Sequence, residues 1–268
     1  MKSLWLAALP LLGACAVNAE LTESQEYYAG RAAAANVLND YVLYEDEQVV
    51  SYVTDIGYTM ARVSDRPETF RGYRFAILDT PEVNAYTAPG GFVFVTVGLL
   101  KLCENEDELA GVIAHELGHC VKRHPELEAR AAMKASQWAE AASILSSVVK
   151  SVMNSDEWTN AMNLFEDVIK GLSKAWADGY GAEQELEADY VGAKLMARVG
   201  YDPNALKLML SRLQHNDDKG WNSNKYPSTK ERMTQVEKSI QENKLVGSVD
   251  PVRTARFKRF MARIKGGR

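Results

Sequence analysis

His115-Glu116-Leu117-Gly118-His119 sets two imidazoles four residues apart with a carboxylate between them. On a helix, residues four apart share a face, so both rings can reach one metal ion. Neutral imidazole is a good zinc ligand, and a catalytic zinc keeps one coordination position open for water. Glu116 projects beside the two histidines and can take a proton from that water. The chemistry such an arrangement supports is hydrolysis of an amide.

That reading needs a helix. Glu104, Glu106, Asp107 and Glu108 supply an acidic start, where carboxylates complement the positive end of the helix dipole. Leu109, Val112, Ile113, Leu117 and Val121 then recur at the spacing of a buried helical face. A hydrolytic zinc needs a third protein ligand. His124, five residues after His119, lies about 140° around a continuous helix from it. It is expected to point away from the metal, as a surface residue near the helix end. The glycine turn and third histidine of the longer motif are missing from Cys120-Val121-Lys122-Arg123-His124. The segment Glu183-Gln184-Glu185-Leu186-Glu187-Ala188-Asp189-Tyr190 offers better donors, because Glu185 and Asp189 share a helix face. One of them can bind zinc while the other accepts a proton from a ligand imidazole.

Three motifs in this order resemble the gluzincin zinc metallopeptidase family that contains HtpX, the CAAX prenyl endopeptidases and the BepA- and LoiP-type periplasmic proteases. They are His115-Glu116-Leu117-Gly118-His119; Glu185-Leu186-Glu187-Ala188-Asp189, matching Glu-x-x-Ala-Asp; and Asn84-Ala85-Tyr86-Thr87-Ala88-Pro89-Gly90-Gly91 running into Phe92-Val93-Phe94-Val95-Thr96. The resemblance spans residues 22 to 240 or so. It implies that His115, His119 and Glu185 hold one zinc ion per chain, that Glu116 is general base and acid, and that Asp189 supports a ligand histidine. It also implies substrate binding along Asn84, Ala85, Gly90, Gly91 and Phe92, because in related zinc peptidases an edge strand beside the metal pairs with the substrate backbone. Such pairing is largely blind to sequence and suits unfolded or misfolded polypeptide.

One departure stands out. Where the family commonly has His-Pro followed by a Glu-Arg pair, this chain has Tyr226-Pro227-Ser228-Thr229-Lys230-Glu231-Arg232. A histidine latch on the metal is therefore not expected. Three roles are open to Tyr226: a hydrogen bond to the oxyanion, weak zinc ligation, or packing, which is favoured. Arg232 is by analogy the electrostatic helper.

The elements that position these residues follow from periodicity. Residues 22–64 read as two helices, the second marked by Val49, Val53, Ile56 and Met60. Phe75-Ala76-Ile77-Leu78 and Phe92-Val93-Phe94-Val95 read as strands, with Pro89-Gly90-Gly91 a turn. The expected fold is α+β and mostly helical, a gluzincin domain with a small antiparallel sheet beside the active-site helix. Residues 126–177 read as a helical cover or interaction region, interrupted by Glu140 and Lys150 and too short in apolar length to span a bilayer. No 34-residue helical repeat is visible, so an appended tetratricopeptide domain is not expected.

At 268 residues and 46% hydrophobic content, the chain can bury one substantial core, assigned to residues 20–268 as a single domain. Residues 1–19 read as a leader: Lys2, an apolar run from Leu4 to Leu12, then small residues. Leu12-Gly13-Ala14-Cys15 fits a lipoprotein box that leaves a lipidated Cys15. Val17-Asn18-Ala19 fits a signal-peptidase site before Glu20. Lipidation is favoured and implies a lipid anchor at the outer membrane, while either outcome implies the bacterial cell envelope, in the periplasm outside the inner membrane. The formal charge is −5, or −6 once Lys2 leaves with the leader, and nothing suggests a nucleic-acid face. The basic run Arg253–Arg268 reads as a solvated helix face able to touch anionic lipid. Cys103 and Cys120, too far apart along one helix for a disulfide, are expected to be free and buried. Two function classes follow, an endopeptidase for unfolded or misfolded envelope proteins and a gated, low-turnover chaperone or assembly factor for outer-membrane proteins. An intact general base favours the first. Oligomeric state is not legible in the sequence.

Overall fold

A computed structural model describes residues 21–132, 172, 180–216, 227–248 and 250–266. Residues 1–20, which include the expected leader and Cys15, together with Tyr226 and most of the 126–177 region, lie outside the described residues. Of that region, residues up to 132 continue a helix, and Leu172 is fully buried. The architecture is α+β and mostly helical, as expected.

Two helices open it. In α1 (Glu23–Asp40), Thr22 and Gln25 form a reciprocal capping box. In α2 (Glu47–Ala61), Asp46 caps the amides of Gln48 and Val49, and Val49, Val53, Ile56 and Met60 are buried on one face. Three strands follow, β1 (Arg74–Leu78), β2 (Ala85–Ala88) and β3 (Phe92–Thr96), in the order β1-β3-β2. The sheet is mixed rather than wholly antiparallel. β2 and β3 form a hairpin through Pro89-Gly90-Gly91, whereas β1 pairs parallel with β3, Arg74 opposite Phe92 through Leu78 opposite Thr96. The chain reverses once between β1 and β2 and again at the hairpin, so β3, inserted between them, runs with β1. Strand composition carries no information about that neighbour order.

β3 is buried along its whole length, as a run of apolar residues covered on both faces should be. Phe92 and Phe94 pack with α1, while Val93 and Val95 join the main core with α2. After the short α3 (Val97–Leu102) comes α4 (Glu106–Lys122), capped by the Asn105 side chain and carrying acidic residues through its first turn. Arg123 ends α4 in the left-handed conformation, φ 59°, and α5 (His124–Ala132) leaves in a new direction.

Helices α6 (Ala182–Arg198), α7 (Asn204–Asn216), α8 (Thr229–Asn243) and α9 (Pro251–Gly266) complete the described chain. The basic run does not form a merely solvated face. Phe257, Phe260, Met261 and Ile264 of α9 enter the core, and Arg253 is buried. Arg256 donates to Glu106 at 2.7 Å and Arg263 to Asp46 at 2.8 Å. Acidic partners on α4 and at the start of α2, distant in sequence, absorb this charge. Cys103 and Cys120 are free and buried, as expected. Among the described residues, no helix is long and apolar enough to cross a membrane.

The contact that positions the centre is between α4 and α6. A Cβ added to Gly118 would lie 2.7 Å from the Ala188 carbonyl oxygen, and one added to Gly192 would lie 3.2 Å from the Ala114 backbone. Small residues at both places let the two backbones touch. Gly118→Ala is therefore expected to force the helices apart and to cost about 1–3 kcal/mol, the usual range for overpacking a core. Thermal unfolding checks this, and a melting temperature equal to the parent's would show that the crossing has slack.

Candidate metal centre and active site

Helix α4 presents His115, Glu116 and His119 inward, all at least nine-tenths buried although the stretch is rich in polar groups. Across the close crossing, α6 supplies Glu185 and Asp189, four residues apart and buried on the same face. The Nε2 atoms of His115 and His119 are 3.1 Å apart. One Glu185 oxygen lies 3.4 Å from His115 Nε2 and the other 3.6 Å from His119 Nε2. These three residues form a group able to hold a metal ion.

Each surrounding contact aims one of these groups. His115 Nδ1 lies 2.9 Å from Asp189 Oδ1, which leaves Nε2 facing Glu185 and His119. Arg232, from α8, donates to both Asp189 oxygens, from Nε at 2.7 Å and Nη2 at 2.8 Å, and its Nη1 is 3.4 Å from Glu185. Arg232 is thus a buried partner of two carboxylates. The Thr87 hydroxyl on β2 donates to Glu116 Oε2, so the strand holds the carboxylate. Tyr180 closes the other side: its ring lies 4.4 Å from that of His119, and its hydroxyl donates to the Thr87 carbonyl at 2.7 Å.

The electrostatics follow from burial set against partners. Burial alone would raise Glu185, but the His115 hydrogen bond and the Arg232 and His119 charges overcome it and hold the carboxyl well below the usual range. Asp189 is lowered in the same way: burial opposes it, and Arg232 prevails. Burial dominates at Glu116 and raises its pKa against the pull of His115 and Thr87. Burial and Arg232 oppose a proton on His115, yet Asp189 and Glu185 outweigh them and hold its pKa up at about 9. For His119 burial prevails, and its pKa falls well below the ordinary value.

His124 is not a surface residue. It is only 1% exposed, and its Nδ1 lies 2.8 Å from His119 Nδ1 while its Nε2 lies 3.1 Å from Glu187. The expectation that it points away assumed a helix continuing through Arg123. The left-handed residue there breaks the helix and brings the next side chain back to His119. Thr87 and Tyr180 were also not anticipated. Thr87 lies inside the third motif, where an inward hydroxyl in an apolar strand was the available signal; Tyr180 carries none.

The third motif divides. Ala85 lines a cleft beside His115, Glu116 and Arg232, whose apolar wall is built from Leu99, Val112, Leu206, Met209, Leu210 and Leu213. Asn84 uses its side chain to accept from the Ala85 amide at 2.9 Å. Gly90, Gly91 and Phe92 sit elsewhere: Gly90 packs on the Tyr27 backbone, Gly91 faces Tyr73, and Phe92 is buried with α1. Their role in the structure is to seat the hairpin turn.

Two imidazoles and a carboxylate converging beside a buried second glutamate, on an α+β fold of this kind, define a centre of the metallopeptidase class. The chain belongs to peptidase family M48, whose model matches residues 47–240. It is 28% identical over 208 residues to the mitochondrial metalloendopeptidase OMA1 of Schizosaccharomyces pombe, covering 74% of this chain and 57% of that protein. It is 26% identical over 205 residues to the beta-barrel assembly-enhancing protease of Escherichia coli K12, covering 76% of this chain and 40% of that one. The OMA1 of Saccharomyces cerevisiae is 32% identical over 129 residues, 46% of this chain and 31% of its own length. The chain thus spans about half the length, or less, of these relatives.

The Pro89-Gly90-Gly91 turn rests on a buried ionic cluster. Gly90, at φ 72°, donates its amide to Glu126 Oε1 at 3.4 Å. Arg66 lies 3.7 Å from Glu126 and also pairs with Glu26, which Arg123 joins. Burial and the Glu26 charge push the Glu126 carboxyl up to about 7 from an ordinary 4.5, against the pull of Arg66. The folded state therefore binds this proton more tightly than the unfolded chain does. The associated stability is complete below about 4.5 and is lost as pH rises through about 7. Glu126→Gln should melt higher than the parent near pH 8, with the gap closing toward pH 5. Thermal unfolding across that window tests it, and a gap independent of pH would contradict the assignment.

Proposed function

We propose that this chain is a zinc-dependent endopeptidase that cleaves extended, unfolded or misfolded polypeptide. The observation that carries the reading is the convergence of His115, His119 and Glu185 with Glu116 alongside. Ligand atoms about 2.0–2.1 Å from a tetrahedral zinc lie about 3.3 Å from one another. The two Nε2 atoms here are 3.1 Å apart, and Glu185 faces His115 with one oxygen at 3.4 Å and His119 with the other at 3.6 Å, so the donor set is of a size and chemistry that would suit one zinc ion. When bound, such an ion supplies Lewis acidity toward a water molecule and a scissile carbonyl.

The chain's own residues do the rest. Glu116 takes the proton of the attacking water on its carboxylate and returns it to the leaving amine, and its raised proton affinity suits a group that must hold a proton between those two acts. Thr87 fixes the Glu116 rotamer. Asp189 accepts from His115 Nδ1 and keeps Nε2 turned to the metal position, and Arg232 holds Asp189 in place.

Extended substrate is supported by β2. The Thr96 amide donates to the Asn84 carbonyl, so residues 84, 86 and 88 pair with β3. Ala85 and Thr87 consequently direct their backbone groups to the outer edge, next to Glu116. A peptide laid along that edge would bring its backbone to the general base. The leader, with its box ending at Cys15, and relatives named for enhancing β-barrel assembly support misfolded envelope proteins as substrates and a lipid anchor at the outer membrane.

Glu116→Gln tests the chemistry. The purified parent should hold about one zinc per chain and digest casein, with chelator stopping digestion. The variant should keep the zinc and lose roughly a hundred- to ten-thousand-fold in rate. A parent that holds zinc and leaves casein intact would favour the gated assembly factor, a reading to which the Tyr180 hydroxyl on the β2 edge lends some weight. A folded parent without zinc would overturn the proposal.

A further inference from the structure

The contacts behind His119 form a chain of a different kind from those behind His115. His119 Nδ1 meets His124 Nδ1 at 2.8 Å, His124 Nε2 meets Glu187 Oε2 at 3.1 Å, and the other Glu187 oxygen accepts from Lys122 Nζ. His119 and His124 are both 1% exposed, so water does not offer alternative partners. Glu187 is the only member of the chain, apart from Lys122, that reaches solvent, with its side chain 41% exposed.

The proton positions follow from chemistry. A carboxylate paired to Lys122 only accepts, so His124 Nε2 carries the hydrogen. A neutral His124 then has a lone pair at Nδ1, and a contact of 2.8 Å to it requires the hydrogen to sit on His119 Nδ1. That leaves His119 Nε2 with its lone pair directed at His115 Nε2 and Glu185, the geometry a metal ligand needs. The reverse tautomer of His119 would place a hydrogen where the metal should bind.

We propose that His124 and Glu187 are positioning residues that fix His119 in the tautomer able to bind metal through Nε2. The inference rests on the metal-centre reading above and extends it to two residues outside the ligand set. Partners of this sort typically contribute 10–100-fold to metal affinity. Imidazole replaces the carboxylate that usually receives a ligand histidine's second hydrogen, and the carboxylate sits one residue further out.

The test compares zinc affinity, by competition with a chromophoric chelator, in the parent, His124→Phe, His124→Asn and Glu187→Ala, together with melting of each apo chain and the visible spectrum of the cobalt-loaded form. His124→Phe keeps a ring and loses the acceptor, whereas His124→Asn keeps an acceptor oxygen near the Nδ1 position. The expected result is zinc binding weakened about 10–100-fold in His124→Phe, with altered cobalt bands, apo melting close to the parent's, and substantial recovery in His124→Asn. Parent-like affinity in His124→Phe would overturn the proposal. Should that variant fail to fold, Glu187→Ala, altered near the surface, decides the matter: weakened zinc binding supports the chain, and parent-like binding sinks it. A parent that binds no zinc would remove the metal-centre reading along with this one, whereas a zinc-binding parent with unaffected variants removes this one alone.

Discussion

The centre depends on how closely α4 and α6 approach. A glutamate side chain on one helix can meet two imidazoles on another only if the backbones are nearly in contact, and Gly118, Ala114, Ala188 and Gly192 create that contact. The residues that set the distance are interleaved with those that could do chemistry. Gly118 lies between the two histidines, and Ala188 lies between Glu185 and Asp189. Each helix glycine costs about 1 kcal/mol in propensity relative to alanine. That cost is tolerated because both sit where a side chain would push the donors apart.

A second constraint is charge. Glu185 and Asp189 are buried carboxylates, and removing such groups from water is expensive unless they are paired and hydrogen-bonded. Arg232 supplies the pairing, with a planar guanidinium that bonds both oxygens of Asp189 and reaches Glu185 with its remaining nitrogen. A lysine would act as a point charge and could not span the two. The helix that supplies this cation lies well beyond α6 in the chain, so the ionisation of the site is tied to the packing of α8 on α6. Arg232 is itself engaged by these bonds, which makes it a scaffold for the carboxylates.

Much of this was legible in the sequence, and what was not has physical reasons. Helical spacing brought His115 to His119 and Glu185 to Asp189, because a continuous helix has a fixed angle per residue. The same rule failed at His124, where one left-handed residue at Arg123 ends the regularity on which the projection rests. The strands were visible as apolar runs, yet their order was not, since parallel pairing of β1 with β3 arises from two chain reversals. Gly90, Gly91 and Phe92 were grouped with the substrate edge because they share a motif with Ala85. In three dimensions the motif has a cleft end and a core end, and positive φ with contact to α1 explains the two glycines. The α9 arginines read as a free basic face because their acidic partners are more than a hundred residues away.

The three inward side chains of α4 are each held by a different part of the fold. Glu116 is gripped by β2 through Thr87, His115 by α6 and α8 through Asp189 and Arg232, and His119 by the start of α5 through His124. Helix α6 takes part twice, with Asp189 on one side and Glu187 on the other. The bend at Arg123 is what makes the second grip possible, because it returns His124 to the side of α4 that α6 covers. Side chains fixed by separate rigid elements lose little further freedom when a metal or substrate engages them, so less of the binding energy is consumed in ordering the site. The kink that defeated the helical projection is thus part of what preorganises the centre.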